Sequence, residues 1–228
     1  MTSQIHMPMA VNRQHAIELP SSLREHLADA WEAFTEASHE AHCPVPRNPD
    51  FTASMLRVWA CSDFVTQACI HDPAILQGLL ANGDLLADYA SGEYQRKLAR
   101  VLDGINAGAD PGEQLRAFRH QQMLRIAWRD LAGWAPLDEV LHDLSDLADA
   151  SISGSLDYIG RQALARLKIP AKKFTPGVVV LGMGKLGARE LNFSSDVDLI
   201  FAYPAGETVW KKRRQTPEEF YLSLGQQL

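Results

Sequence analysis

Apolar residues recur every three or four positions over most of the first 170 residues, the period of helices that bury one face. Leu23, Leu27, Ala30, Trp31 and Phe34 mark the first such stripe. Ser21 and Ser22 precede it with hydroxyls suited to capping orphan amides, and Glu25 follows Ser22 by three residues. The prolines at 44, 46 and 49 end this helix, because proline lacks an amide donor and restricts the residue before it. Ser62 or Asp63 opens another helix, Asp72-Pro73 is a cap followed by proline at the first helical position, and Asn82-Gly83 is a left-handed stop. Beyond the Asp110-Pro111-Gly112 turn, Leu124, Ala127, Trp128 and Leu131 form one stripe. After Pro136, Leu137, Val140, Leu141, Leu144, Leu147 and Ala148 form another, and a helical bundle would bury both. The stripes read as core and not as a ligand pocket. Arg116, Arg119, Arg125 and Arg129 are scattered around their helix and are expected on a solvated or salt-bridged surface, while His120 receives no role.

The period changes after Lys172. Thr175-Pro176-Gly177 is a turn signal, and residues 178–181, Val-Val-Val-Leu, form a short apolar run suited to a buried strand. Glycines 182, 184 and 187 follow at once. Residues 196–203 are β-branched and apolar enough for a second strand beginning at Asp196, ended by Pro204 and Gly206. The basic run at 211–214 falls in a loop, read as solvated, and Thr216-Pro217-Glu218-Glu219 starts a last helix. The expected organisation is a loose arm over 1–20, a helical bundle over 21–169 and a second domain over 170–228. The fold class is thus α+β, mainly helical with a small sheet.

Composition narrows the chemistry. With 22 basic against 28 acidic residues and a net charge of -6, no general attraction to nucleic acid or anionic membrane is expected. Three cysteines without CxxC spacing suggest neither a disulfide framework nor a zinc site. No basic start paired with an apolar leader and no run near about 18 apolar residues is present, so a cytoplasmic location is expected.

Gly182, Gly184 and Gly187 match the GxGxxG spacing of a dinucleotide-binding turn. That reading requires a long helix after the glycines and a ribose-binding acid about 20 residues on, at the end of the next strand. Asp196 and Asp198 come too early and stand at a strand's beginning. A phosphate-binding loop of the Walker type also fails, since Ala188 and Arg189 follow Gly187. Residues two apart in a strand share a face, so Asp196 and Asp198 set two carboxylates side by side, with apolar residues opposite. Such a pair repels unless a cation neutralises it, and hard oxygen ligands select magnesium or manganese, which also hold nucleotide phosphates. The upstream glycines let backbone amides approach those phosphates.

Met183-Gly184-Lys185, a spacer of ten residues and Asp196-Val197-Asp198-Leu199 resemble the polymerase-β-type nucleotidyltransferase pattern. The longer string over 181–201, Leu-Gly-Met-Gly-Lys-Leu-Gly-Ala-Arg-Glu-Leu-Asn-Phe-Ser-Ser-Asp-Val-Asp-Leu-Ile-Phe, resembles the signature of the bacterial glutamine synthetase adenylyltransferase family. Residues 124–131, Leu-Arg-Ile-Ala-Trp-Arg-Asp-Leu, and 62–65, Ser-Asp-Phe-Val, are similar to that family's helical N-terminal region.

That family has two nucleotidyltransferase-like halves behind a helical segment, and the resemblance implies here the start of a polymerase-β-like domain with a small mixed sheet that these residues leave incomplete. A motif near residue 190 resembles the first half, which removes AMP from a tyrosine of adenylylated glutamine synthetase by phosphorolysis and releases ADP. The resemblance implies that Asp196 and Asp198 bind Mg²⁺ and are catalytic. It makes Gly182, Gly184, Lys185, Gly187 and Ser195 candidates to hold an ATP-, ADP- or AMP-type nucleotide. Lys185 departs from the superfamily's Gly or Ser yet agrees with this family's own form. Glutamine synthetase is the implied partner, with a PII signalling protein and glutamine as regulators. The superfamily's third carboxylate, from a later Arg-Val-Asp-Met-Arg-like segment, is absent from these residues, so the fragment alone is expected to be inactive. Alternatives are a non-catalytic glutamine-synthetase-binding module, the ATP-using adenylyl-transferring activity, or a dinucleotide-binding oxidoreductase half.

Overall fold

The computed structural model describes residues 20–47, 49–105, 110–168, 177–203 and 216–228. Apart from Pro20, the expected arm lies outside the described residues, as do the basic run 211–214 and the turn residues Thr175 and Pro176. Helices α1 (Ser21–Glu40), α2 (Pro49–Cys61), α3 (Asp63–His71), α4 (Pro73–Ala81), α5 (Glu93–Asp103), α6 (Gly112–Ala132) and α7 (Leu137–Arg166) come first. Strand β1 (Val179–Gly182), the four-residue α8 (Gly184–Gly187), strand β2 (Leu199–Ala202) and helix α9 (Pro217–Gln227) follow. The molecule is mainly helical α+β. Its sheet, over the described residues, is one antiparallel pair. No described helix is long and apolar enough to cross a membrane.

The described residues divide into two compact units, those within 1–88 and 120–140 and those within 89–119 and 141–228. In the first, the Ser62 hydroxyl accepts from the Val65 amide and the Asp72 carboxylate from the Ala74 amide, with Pro73 at the first helical position. Asn82 ends α4 and Gly83 takes φ +73°, the left-handed stop that its sequence predicts. Helix α1 starts differently from expectation. Pro20 is its N-cap and the serines are already helical, because the amides of Leu23 and Arg24 donate to the Pro20 carbonyl.

The expected stripes bury Leu27, Ala30, Trp31, Phe34, Leu124, Ala127 and Trp128 with Phe51, Met55, Trp59 and Leu76. Phe34 meets Trp59 edge-on at 5.5 Å, and Phe51 stacks on Trp128 at 4.9 Å. The Trp128 indole N–H donates to the Ser54 hydroxyl at 2.9 Å, so its polar edge is satisfied inside the core. The cysteines are free. Burial pushes the Cys69 thiol up to about 12, which keeps it protonated and inert.

Two arginines expected at the surface are instead buried. Arg125 is 0% exposed and donates to the carbonyls of Asp84, at 2.9 Å, and Ala87. Arg129 donates to the Leu86 carbonyl at 2.8 Å and pairs with Glu139 at 2.6 Å. The reason is backbone accounting: the turn after α4 brings carbonyls inward that need donors, and a guanidinium supplies several in a fixed fork. Arg116 and Arg119 remain exposed, and His120 packs edge-on against Phe64 at 5.7 Å. Leu137 also departs from its predicted stripe, at 71% exposed, because it is the first residue of α7 and the buried face begins at Val140.

In the second unit, α5 buries Tyr94, Leu98 and Leu102. Gly154 of α7 lies so near that a Cβ there would stand 2.8 Å from a methyl of Leu98. Leu164 joins Phe220, Tyr221 and Leu224 of α9 in a small core, against which Val178 packs. Helix α9 opens with the expected capping box, Thr216 with Glu219.

Candidate functional site

Strands β1 and β2 pair Val179 with Ala202, Val180 with Phe201, Leu181 with Ile200 and Gly182 with Leu199. One more bond, from the Met183 amide to the Asp198 carbonyl at 2.9 Å, carries the pairing a step beyond the strands. The sequence places Asp196 and Asp198 inside a strand; the structure starts β2 only at Leu199. Strand pairing needs a partner, and Gly184, at φ +55°, turns the opposite chain away just after Met183. Asp198 thus keeps the register, opposite Met183, whereas Asp196 lies outside any ladder. Both carboxylates are exposed, and neither makes an ion pair or hydrogen bond among the described residues.

The glycines have local reasons for being glycine. A Cβ on Gly187 would lie 2.5 Å from the Gly182 carbonyl oxygen, and one on Gly182 would lie 2.7 Å from Leu186. The turn is therefore folded onto itself around buried Leu186 and Leu191. Gly184, by contrast, faces open space, so only its positive φ requires glycine. The helix after the first glycines is four residues long, too short for a dinucleotide-binding unit. Lys185 is exposed beside Gly184, and its carbonyl accepts from the Glu190 amide at 2.7 Å. The Ser195 hydroxyl is half-buried and already engaged, donating to the Asn192 side-chain oxygen at 2.7 Å and accepting from the Asn192 amide at 3.2 Å. It shapes the approach to Asp196, and reaching a phosphate would require leaving Asn192.

Sequence reasoning missed Arg189. It sits at φ +59°, an unusual conformation for a residue with a Cβ. Its guanidinium bridges two carboxylates on α7, Asp146 and Asp149, the latter at 3.2 Å. The bridge is asymmetric. The hydrogen bond to Asp146 holds the Arg189 guanidinium above its ordinary range. At Asp149 the loss of water outweighs the pull of Arg189, so that carboxyl also titrates above its usual range. The only sequence signal was three-residue spacing of two acids on one helix face, which says nothing of a partner 40 residues away.

Two exposed carboxylates without partners among the described residues suit magnesium, which is commonly held by one or two carboxylates with water and substrate phosphates filling its other positions. Among the described residues no group of three or more metal-binding side chains assembles. Chemistry open to such an arrangement includes metal-assisted handling of phosphoryl groups.

Residues 52–228 match the family model described as glutamate-ammonia ligase adenylyltransferase. The chain is 40% identical over 215 residues to a protein of Nitrosococcus oceani, covering 92% of this chain and 22% of that protein. It is 43% identical over 189 residues to one of Pseudomonas aeruginosa, 81% of this chain and 19% of that one. Against a third, from Pseudomonas syringae, the identity is 41% over 201 residues, 86% of this chain and 20% of the relative. All three are named bifunctional glutamine synthetase adenylyltransferase/adenylyl-removing enzyme. The chain thus spans about a fifth of the length of these relatives. Carrying the family's pattern through both its helical region and its glycine-aspartate turn, it belongs to the glutamate-ammonia ligase adenylyltransferase family.

Proposed function

We propose that this chain is part of an adenylyl-removing half, acting on an adenylylated tyrosine of glutamine synthetase. The observation that carries the reading is the pair of exposed carboxylates, Asp196 and Asp198, at the mouth of the glycine turn. In the reaction, a phosphate oxygen attacks the phosphorus of tyrosine-bound AMP, the bond to the tyrosine oxygen breaks, and ADP and the free tyrosine result. Magnesium held by Asp196 and Asp198 would neutralise charge gathering on the phosphoryl oxygens. Gly184 leaves room for phosphate to approach the backbone, Lys185 adds a positive charge beside it, and Gly182 and Gly187 keep the turn tight.

The nucleotidyltransferase part begins near residue 170, behind the helical region 21–169. The superfamily's third carboxylate has no counterpart among these 228 residues, which taken by themselves are therefore inactive. A PII signalling protein and glutamine are the regulators of the whole protein, and its location is cytoplasmic.

Adding Mg²⁺ and ADP while following backbone amide resonances tests the reading. Shifts should appear at residues 183–187 and 196–198 and vanish in Asp196→Asn. An Asp196→Asn chain that responds like the parent, or a parent that does not respond, would refute it.

A further inference from the structure

We infer that Arg189 is a positioning residue: its bridge to Asp146 and Asp149 holds the glycine turn, and with it the Asp196–Asp198 segment, in a single conformation. The inference deepens the reading of the same site and rests on it for its functional consequence. Its structural part stands alone.

The turn from Met183 to Leu191 has few ties of its own. Its helix is only four residues long, and the bonds of Ala188 to Gly184, Arg189 to Leu186 and Glu190 to Lys185 close it locally without fixing it to anything else. Leu186 and Leu191 bury apolar weight but are not directional. Arg189 supplies the missing direction. Asp146 and Asp149, three residues apart, stand on one face of α7, and a planar guanidinium can engage both at once. A helix of 30 residues is a rigid reference for a small turn. Arg189 itself takes a left-handed backbone conformation, which persists only where surrounding contacts over-determine it.

From Arg189 the chain reaches Asp196 through a short, hydrogen-bonded turn. The Asn192 side chain accepts from the Ser194 amide and the Ser195 hydroxyl, so little slack separates the clamp from the acids. On the other side, Met183 hydrogen-bonds to Asp198 itself. Both carboxylates are therefore reached from the clamp by tied backbone. Releasing it should widen the spread of distances between them, and a metal held by two ligands loses affinity when one wanders.

The test compares Arg189→Gln, Arg189→Lys, Asp146→Asn and Asp149→Asn with the parent chain. Native-state hydrogen exchange comes first. The amides of Met183 and Glu190 should exchange about threefold to tenfold faster in Arg189→Gln. Amides of α2 and α3 should keep their parental rates. The Arg189→Lys change should retain part of the protection that Arg189→Gln loses, because an ammonium keeps the charge but cannot span both acids as a fork. Asp146→Asn should loosen the turn more than Asp149→Asn, since the Asp146 side chain is 25% exposed against 46% for Asp149 and its ion pair is the less screened by water. Unchanged exchange at Met183 and Glu190 in Arg189→Gln overturns the inference, as does a rise spread evenly over all amides.

The second measurement is Mn²⁺ binding by electron paramagnetic resonance, with Mn²⁺ standing for Mg²⁺. Binding weakened in step with the loss of protection supports the link to the site, and unchanged binding alongside faster exchange overturns that link. A parent chain that binds no Mn²⁺ counts against the functional reading, while the exchange data still decide whether Arg189 holds the turn.

Discussion

Ser54 shows how a small polar side chain can be worth more than its size. Its hydroxyl receives the Trp128 indole N–H and donates in turn to the Phe51 carbonyl at 3.0 Å, inside a core that excludes water. Ser54→Ala would leave the indole donor unpaired, so unfolding in urea should show a loss of about 1–3 kcal/mol. Trp128→Phe removes that donor, so the double change with Ser54→Ala should cost less than the sum of the two alone. At the surface the balance differs. The hydrogen bond from Arg96, with further help from the cations Lys97 and Arg100, holds the Glu93 carboxyl below its usual range. A lowered native pKa means that the unfolded chain binds protons more readily. The stability Glu93 contributes is therefore present above the ordinary glutamate pKa and fades as pH falls through the lowered one. Glu93→Gln should flatten the acid side of a stability-versus-pH curve, and parent and variant should converge below the native pKa. A gap that widens on acidification would contradict the pairing.

At the scale of elements, the sequence was most readable where a residue's structural reason lies within four positions of it. The Ser62 and Asp72 caps, the Asn82-Gly83 stop and the Thr216-Glu219 capping box all belong to that class. Elements whose limits depend on distant partners were harder to place. Strand β2 begins at Leu199 and not Asp196 because the opposite chain turns away at Gly184. Arg125 and Arg129 read as surface because charge usually does, and the inward carbonyls of residues 84–87, with Glu139 beside Arg129, explain their burial. Of the candidate site, the glycines and acids were visible as a pattern, whereas the Arg189 bridge and the Ser195–Asn192 bond needed coordinates. Gly187 is where element geometry can be tested most directly. Gly187→Ala would push a methyl against the Gly182 carbonyl, backbone against backbone, and neither side can yield as a flexible side chain would. A loss of about 1–3 kcal/mol is expected, with amide shifts concentrated in β1 and α8. Gly225, whose added Cβ would meet only Phe201 at ordinary contact distance, should accept alanine with much smaller change.

For the molecule as a whole, the small sheet leaves more apolar surface open than its sequence led one to expect. The run 178–181 reads as a buried strand, yet Val179 is 54% and Leu181 48% exposed, and Ile200, opposite Leu181, is 49% exposed. Paired residues of an antiparallel ladder share a face, so Val179, Leu181, Met183 and Ile200 lie together on one side of the sheet. The other side is dressed by α9: Val178 joins the Leu164–Phe220–Leu224 core and Tyr203 stacks on Tyr221 at 4.8 Å. A two-stranded sheet can bury both faces only if something lies on each, and the described residues supply one cover. A contiguous apolar face of this kind takes up hydrophobic dyes without unfolding. The native chain should therefore enhance the fluorescence of 8-anilinonaphthalene-1-sulfonate. The double change Leu181→Thr with Ile200→Thr should remove most of that signal while keeping strand propensity, and the urea midpoint should move by less than about 1 kcal/mol equivalent because both residues are half-exposed. Dye binding that survives the double change intact would place the accessible apolar surface elsewhere. A large loss of stability would instead mean that this face is covered in solution.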